Sequence, residues 1–255
     1  MKVDAIVIAG GEINGNLQNE SGVTNEALIP IGNTIMVDYV VSALEKAPSV
    51  DKIVVVGPTK DLKKYYEETN TIILVEPGAT AVESVLNGLK YVSMNKKLLI
   101  CTGDIPLLTP EAVEDFLSTC SSKEADLHYS IVPQEVNEKK YPDVKRTYVK
   151  LKEGTFTGGN ILLVNPGIIH RCAEKGEELV RLRKSPLALS RLIGFRFILK
   201  FLLHLLSLSD TEDKFSKLLG IKGVGIISNY PEVGIDVDKQ SDLILVKKVL
   251  EEKVS

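Results

Sequence analysis

Three segments of this chain carry residue types that can do chemistry, each where a short apolar run gives way to a turn. They are Ala9-Gly10-Gly11, Thr102-Gly103-Asp104-Ile105-Pro106 and Gly234-Ile235-Asp236-Val237-Asp238. Glycines let a backbone come close to a ligand and offer its N–H groups to phosphate, although a Gly-Gly pair after a strand also serves as a bare tight turn. Asp104 comes after a run so apolar that a carboxylate there must point into the crevice at its end. A hard carboxylate in that place suits Mg2+ held together with substrate phosphates; its plainer role is a turn residue before a helix. In 234–238, alternation sends Asp236 and Asp238 to one side of an extended segment. Asp238 also sits where a helix N-cap belongs, which leaves Asp236 as the better ligand candidate.

The elements that must position these turns are set by hydrophobic periodicity. Apolar runs at 4–9, 52–56, 71–75 and 97–101 predict strands, and each precedes an amphipathic stretch that predicts a helix, over 36–46, 61–68, 81–92 and 111–119. Thr109 is the expected N-cap of the last of these helices, with Pro110 at its first position. Strands apolar on both faces and alternating with helices imply a mostly parallel, Rossmann-like sheet in a three-layer α/β/α architecture. Ligands of such sheets bind beyond the carboxyl ends of the strands. Further strands are expected at 126–132, 146–151, 161–164 and 224–228, with a charged loop over 133–145. A long helical block is expected over about 186–219, broken near 209–211, and a final helix from 239 to about 253. The organisation expected is one domain, 1–255, with a helical subdomain at about 179–220.

These turns carry a family resemblance. The segment 3–11, VDAIVIAGG, with Ala27-Leu28-Ile29-Pro30-Ile31-Gly32 and Met36-Val37-Asp38-Tyr39 after it, resembles the opening of the GT-A-type nucleotidyltransferases. That superfamily includes the MobA-like NTP transferase family and the sugar-phosphate nucleotidyltransferases. Residues 102–106 look like its metal-binding strand end, 234–243 like its closing metal-and-helix motif. Residues 78–89, GATAVESVLNGL, are similar to the nucleobase-side helix of the isoprenoid-pathway cytidylyltransferases. The resemblance implies Mg2+-dependent transfer of a nucleotidyl group from an NTP to a phosphorylated small molecule, with release of pyrophosphate. It implies that Ala9, Gly10, Gly11 and Gly103 line the nucleotide, that Ser84 faces the base, and that Asp104 and Asp236 hold Mg2+, or Mn2+ in its stead.

The chain departs from the family pattern in the first loop. That loop normally ends in an Arg and then a Lys, yet 12–27 contains neither, and Glu26 falls at the Lys position. A carboxylate about 5 Å from a phosphate charge costs roughly 3 kcal/mol at an effective dielectric of 20. Lys145 and Arg146 are the candidate substitutes, with Arg146 counted among the catalytic residues. The stretch Thr157-Gly158-Gly159-Asn160 looks like the acceptor-side loop of the superfamily, its Gly-Gly letting the chain pass beneath an acceptor and its Asn amide able to donate and accept. Two other readings stay open: a nucleotide-binding or scaffold protein of the same fold that has lost turnover, and a glycosyltransferase using a nucleotide-sugar.

Composition narrows the classes. The 255 residues include 31 Lys+Arg against 34 Asp+Glu, a net charge of −3, which excludes a generally basic nucleic-acid binder. Three cysteines with no CxxC pair argue against a disulfide framework. Cysteines of that number and spacing fit a reducing cytoplasm, and the N-terminus lacks the basic-apolar-small pattern of a signal peptide. Charge is unevenly spread: 3–45 has no Lys or Arg, and 179–209 has no Asp or Glu but six basic residues. Within the latter, Arg196, Lys200 and His204 recur every four residues, so one helix over 191–208 would carry them as a stripe on an otherwise apolar surface. Such a helix suits internal packing or a homodimer, an anionic membrane surface with peripheral attachment, or the lining of a substrate pocket.

Overall fold

A computed structural model describes residues 1–13, 22–66, 71–182 and 192–252. Its strands are β1 (Val3–Ile8), β2 (Pro30–Ile31), β3 (Thr34–Ile35), β4 (Val50–Val56), β5 (Ile72–Val75), β6 (Leu98–Thr102), β7 (Leu127–Pro133), β8 (Val149–Leu151), β9 (Gly154–Val164) and β10 (Gly223–Ile227). Apart from the small β2–β3 hairpin they form one eight-stranded sheet in the order β10-β7-β9-β6-β1-β4-β5, with β8 paired to β9. β1 runs parallel to β4 and β6, β4 parallel to β5, and β10 parallel to β7; β9 is antiparallel to its three partners β6, β7 and β8.

Alternation along the central strands feeds two apolar layers. Val3, Ala5 and Val7, with Ile53, Val55, Leu99 and Cys101, face the helices α1 (Met36–Glu45), α2 (Thr59–Tyr66) and α4 (Pro110–Ser121). Ile6, Val54, Val56, Leu98 and Ile100 face α3 (Ala81–Leu89) and α6 (Ile169–Leu182) on the other side. A strand buried on both faces has no polar side, hence the uninterrupted Val/Ile runs. Asp4 is the exception. Buried, it accepts the Ser93 N–H at 2.7 Å and pairs with Lys96, so it ties the loop before β6 to the start of β1. Thr80 and Thr109 cap α3 and α4, their hydroxyls accepting the N–H groups of Glu83 and Ala112.

Four sequence expectations need correction. The charged segment 133–145 holds a helix, α5 (Gln134–Lys140), whose polar composition hides its periodicity. The strand expected at 146–151 begins only at Val149, so Arg146 lies in irregular chain before it. The run at 161–164 is the end of an eleven-residue strand that starts at Gly154. The helical block expected over about 186–219, broken near 209–211, falls in part on 186–191, outside the described residues. Beyond them the chain forms α7 (Phe195–Leu202), a reversal, and α8 (Leu208–Leu219). The break comes at 203–207 rather than 209–211, because Ser207 and Asp210 form a reciprocal capping box at the start of α8. The last helix is α9 (Gln240–Glu252). Among the described residues no helix is long and apolar enough to cross a membrane.

His204 lies outside α7, so the stripe Arg196-Lys200-His204 does not exist. With φ of 55° it occupies the left-handed position after the helix, where Leu205 N–H bonds to the Lys200 carbonyl at 2.8 Å and His204 N–H to that of Phe201 at 3.0 Å. That is the Schellman closure, which favours glycine. Denaturant unfolding of His204→Gly should therefore show equal or greater stability, by up to about 1 kcal/mol. His204→Val, β-branched in a left-handed position, should lose about 1 kcal/mol or more.

Candidate functional site at the carboxyl edge of the sheet

The site is assembled by register. Ile8 pairs with Thr102 at the ends of the parallel strands β1 and β6, so Ala9-Gly10-Gly11 and Gly103-Asp104 leave the sheet side by side. The segment 235–238 is brought to them by one backbone hydrogen bond, from Val237 N–H to the Asp104 carbonyl at 3.0 Å. Ile235 and Val237 are fully buried in a cluster with Ile29, Ile31, Leu107, Tyr141 and Val144. The alternate residues Asp236 and Asp238 consequently face the other way. One carboxylate oxygen from each of Asp104, Asp236 and Asp238 lies within 4.8 Å of the others.

Two further charges define the electrostatics. The Arg146 guanidinium, whose side chain is 9% exposed, pairs through Nη1 with the Asp236 carboxylate and donates Nη2–H to the Asp236 carbonyl at 2.7 Å. Its Nε is buried and has no hydrogen-bond partner among the described residues. Glu26 opens a short 3-10 turn, donating its N–H to the Gly11 carbonyl at 3.0 Å. A Cβ on Gly11 would stand 2.7 Å from Glu26 Oε2, so the glycine makes room for this carboxylate. Burial pushes Glu26 up to about 7, reinforced by the negative charges of Asp104, Asp238 and Asp236. Asp104 is also raised, by burial first, against the pull of the Thr102 hydroxyl hydrogen bond and with Asp238 adding to the rise. Asp236 is raised by burial, which outweighs the opposing pull of Arg146.

An all-oxygen set of converging carboxylates is the donor chemistry of Mg2+ or Mn2+. Arg146 pairs with Asp236 alone, so the three carboxylates that converge here meet one arginine. The residues present therefore fit a divalent cation.

The other candidates from the sequence have varied surroundings. Ala9 is buried, with its N–H bonded to the Val56 carbonyl at 2.8 Å. Gly10 lies against Pro77, 2.8 Å from where its Cβ would be. Gly103 is buried between Ala9 and Val37, and its N–H goes to the Ile8 carbonyl, so its contribution is clearance. Ser84 is buried and accepts the Gly78 N–H at 3.0 Å; it shapes the turn at 77–80 instead of standing open toward a base. Thr157, Gly158, Gly159 and Asn160 form no loop: they lie within β9, Thr157 opposite Val132 and Gly158 opposite Ile131. Their glycines admit side chains of β7, since a Cβ on Gly158 would meet Tyr129 Oη at 2.5 Å and one on Gly159 would meet Ser130 Oγ at 2.1 Å. Arg146, expected to serve phosphates, is engaged by Asp236.

Asp238 is the acid that sequence reasoning sets aside, because of its position before a helix. Its backbone N–H bonds to the Asp242 carboxylate at 3.2 Å, and its own carboxylate joins the cluster. The alternation of 235–238 is the signal that places it there. Glu26 is signalled by the resemblance, which places it at the family's Lys position, while its proximity to the three aspartates comes from the fold.

Residues 5–184 match the family described as MobA-like NTP transferase domain. A Thermus thermophilus protein described as a hypothetical transferase is 39% identical, with a TM-score of 0.83 over 95% of this chain and 100% of that one. The 4-diphosphocytidyl-2C-methyl-D-erythritol synthase from Anaerococcus prevotii shares the fold at 13% identity, with a TM-score of 0.61 over 98% and 96% of the two chains. Bifunctional protein GlmU of Thermodesulfovibrio yellowstonii is 30% identical over 95 residues, which span 36% of this chain and 21% of that protein.

The metal-free protein should respond to pH and to loss of the arginine. Glu26 holds its proton more tightly in the folded state, at about 7, than at its ordinary 4.5. The folded state thus binds more protons between those values, and stability declines as pH rises through them. In EDTA, Glu26→Gln should melt a few degrees higher than the wild type at pH 8 and alike at pH 4. Arg146→Ala leaves Asp236 among like charges and should lose roughly 3 kcal/mol in denaturant unfolding at pH 8.

Proposed function

The chain belongs to the MobA-like NTP transferase domain family, and on that footing we propose that it transfers a nucleotidyl group from an NTP to a phosphorylated small molecule, releasing pyrophosphate. The observation that carries this reading is the convergence of Asp104, Asp236 and Asp238 beside the Gly10-Gly11 turn at the carboxyl edge of the sheet. An acceptor phosphate oxygen forms the new bond to the α-phosphorus, the bond to the bridging oxygen breaks, and the β- and γ-phosphates leave as pyrophosphate. Asp104 and Asp236, with Asp238, would hold Mg2+, whose chemistry there is to neutralise charge developing on the phosphates. Gly10 and Gly11 allow the nucleotide close to the backbone. Arg146 is a positioning residue: it orients Asp236 and offsets one of the acidic charges.

One observation favours a second reading, a nucleotide-binding protein of the same fold with impaired turnover. Residues 3–45 contain no Lys or Arg, and the Glu26 carboxylate adds a like charge where phosphates would lie. The two readings separate experimentally. For the enzyme, a panel of NTPs and phosphorylated acceptors yields one pair that releases pyrophosphate only with Mg2+ or Mn2+, and Asp236→Asn reduces the rate about 10²-fold or more. The binding protein shows Mg2+-dependent thermal stabilisation by an NTP, lost in Asp104→Asn, without pyrophosphate release. Glu26→Lys, by exchanging repulsion for attraction, should tighten NTP binding about tenfold or more in either case.

A further inference from the structure

The helix α7 has two unlike faces. Phe197 and Phe201, one turn apart, pack with Leu206 against Leu151 and Phe156 of the β8–β9 hairpin. The opposite face stays uncovered: Leu199 is 43% exposed, Leu202 65%, Leu203 57% and Leu205 52%. The left-handed turn at His204 extends this surface, because it exposes Leu205 while returning Leu206 to the core. Contiguous apolar area of this kind marks a binding surface.

Charge and size together select the occupant. Arg196 and Lys200 are exposed on the same face as Leu199 and Leu203. Lys200 also reaches Asp210 at 3.0 Å, whereas Arg196 has no ion pair among the described residues. The described part of the chain around α7, 192–209, contains Arg196 and Lys200 and no acidic residue. A second copy of the chain is disfavoured by area. An eight-residue helix is about 12 Å long, less than is needed to cover the roughly 800 Å² per partner of a stable interface. An anionic bilayer suits the arrangement, because a short amphipathic helix lies in the headgroup plane with leucines in the acyl boundary and basic residues among the phosphates, the two contributions adding.

We infer that α7 and the turn after it form a docking surface for an anionic membrane. Vesicle sedimentation of the full chain tests this with phosphatidylcholine alone and with phosphatidylcholine containing about 30% phosphatidylglycerol. The bound fraction should be at least about tenfold higher on the anionic vesicles and should fall about tenfold between roughly 0.05 and 0.5 M salt, since screening weakens surface attraction. Leu202→Glu/Leu203→Glu, at exposed positions, should abolish binding with an unchanged thermal unfolding midpoint, and Arg196→Glu should remove the preference for anionic lipid. Equal binding to both vesicles, or none to either, would overturn the proposal. So would a monomer–dimer equilibrium in sedimentation that disappears with Leu202→Glu/Leu203→Glu, which would make the occupant a second copy.

Discussion

The hydrogen bond from Val237 N–H to the Asp104 carbonyl holds two distant acidic segments at one strand end, and the site depends on it. It is opposed by the charges it brings together. Two carboxylates about 5 Å apart repel by roughly 3 kcal/mol at an effective dielectric of 20, and three such pairs meet here. Burying Ile235 and Val237 contributes about 1.5–3 kcal/mol each. That does not offset three repulsions, so Arg146 on Asp236 is needed as well. Burial first, and the neighbouring acids after it, raise Glu26, Asp104 and Asp236, so these groups hold their protons more tightly than free carboxylates.

The antiparallel strand β9 connects this edge to the rest of the molecule. It separates the parallel group around β1 from the β7–β10 pair and pairs with both sides. Its Gly158-Gly159 gives up side chains so that Tyr129 and Ser130 can lie across it, and a Cβ on Gly234 would come within 3.3 Å of the Gly158 carbonyl. The turn before Asp236 thus rests directly on β9. Two residues from Gly158, Phe156 anchors the inner face of α7. One strand therefore supports both the acidic edge and the amphipathic helix.

The charge layout has a physical consequence for any phosphate ligand. Four carboxylates, those of Glu26, Asp104, Asp236 and Asp238, influence one another, and Arg146 is already engaged. Positive charge for a nucleotide must then come chiefly from a bound cation or from chain outside this edge, such as exposed Lys145. The Thr102 hydroxyl, bonded to Asp104, stabilises the ionised form against that crowding.

Sheet and layers are legible in the residues alone, because a strand buried on both faces must be apolar at every position and a covering helix must repeat its apolar residues every three or four. The caps Thr80 and Thr109 are local as well: Thr109 is readable from the chain, and both act within three residues of themselves. Asp104 stands out because it comes just beyond an apolar strand, and Asp236 because it alternates with the apolar Ile235 and Val237. The remainder is settled by contacts across the folded chain. Whether Gly158-Gly159 is loop or strand depends on its partner strand β7, not on its own residues. Whether 191–208 is one helix depends on Gly194, whose φ of 98° stops any helix before Phe195, and on the capping box at Ser207 competing with helix continuation at His204. That Asp238 and Glu26 join Asp104 and Asp236, and that Arg146 turns to Asp236, depends on contacts between segments far apart in the chain, whose charges reveal no distance until it is folded.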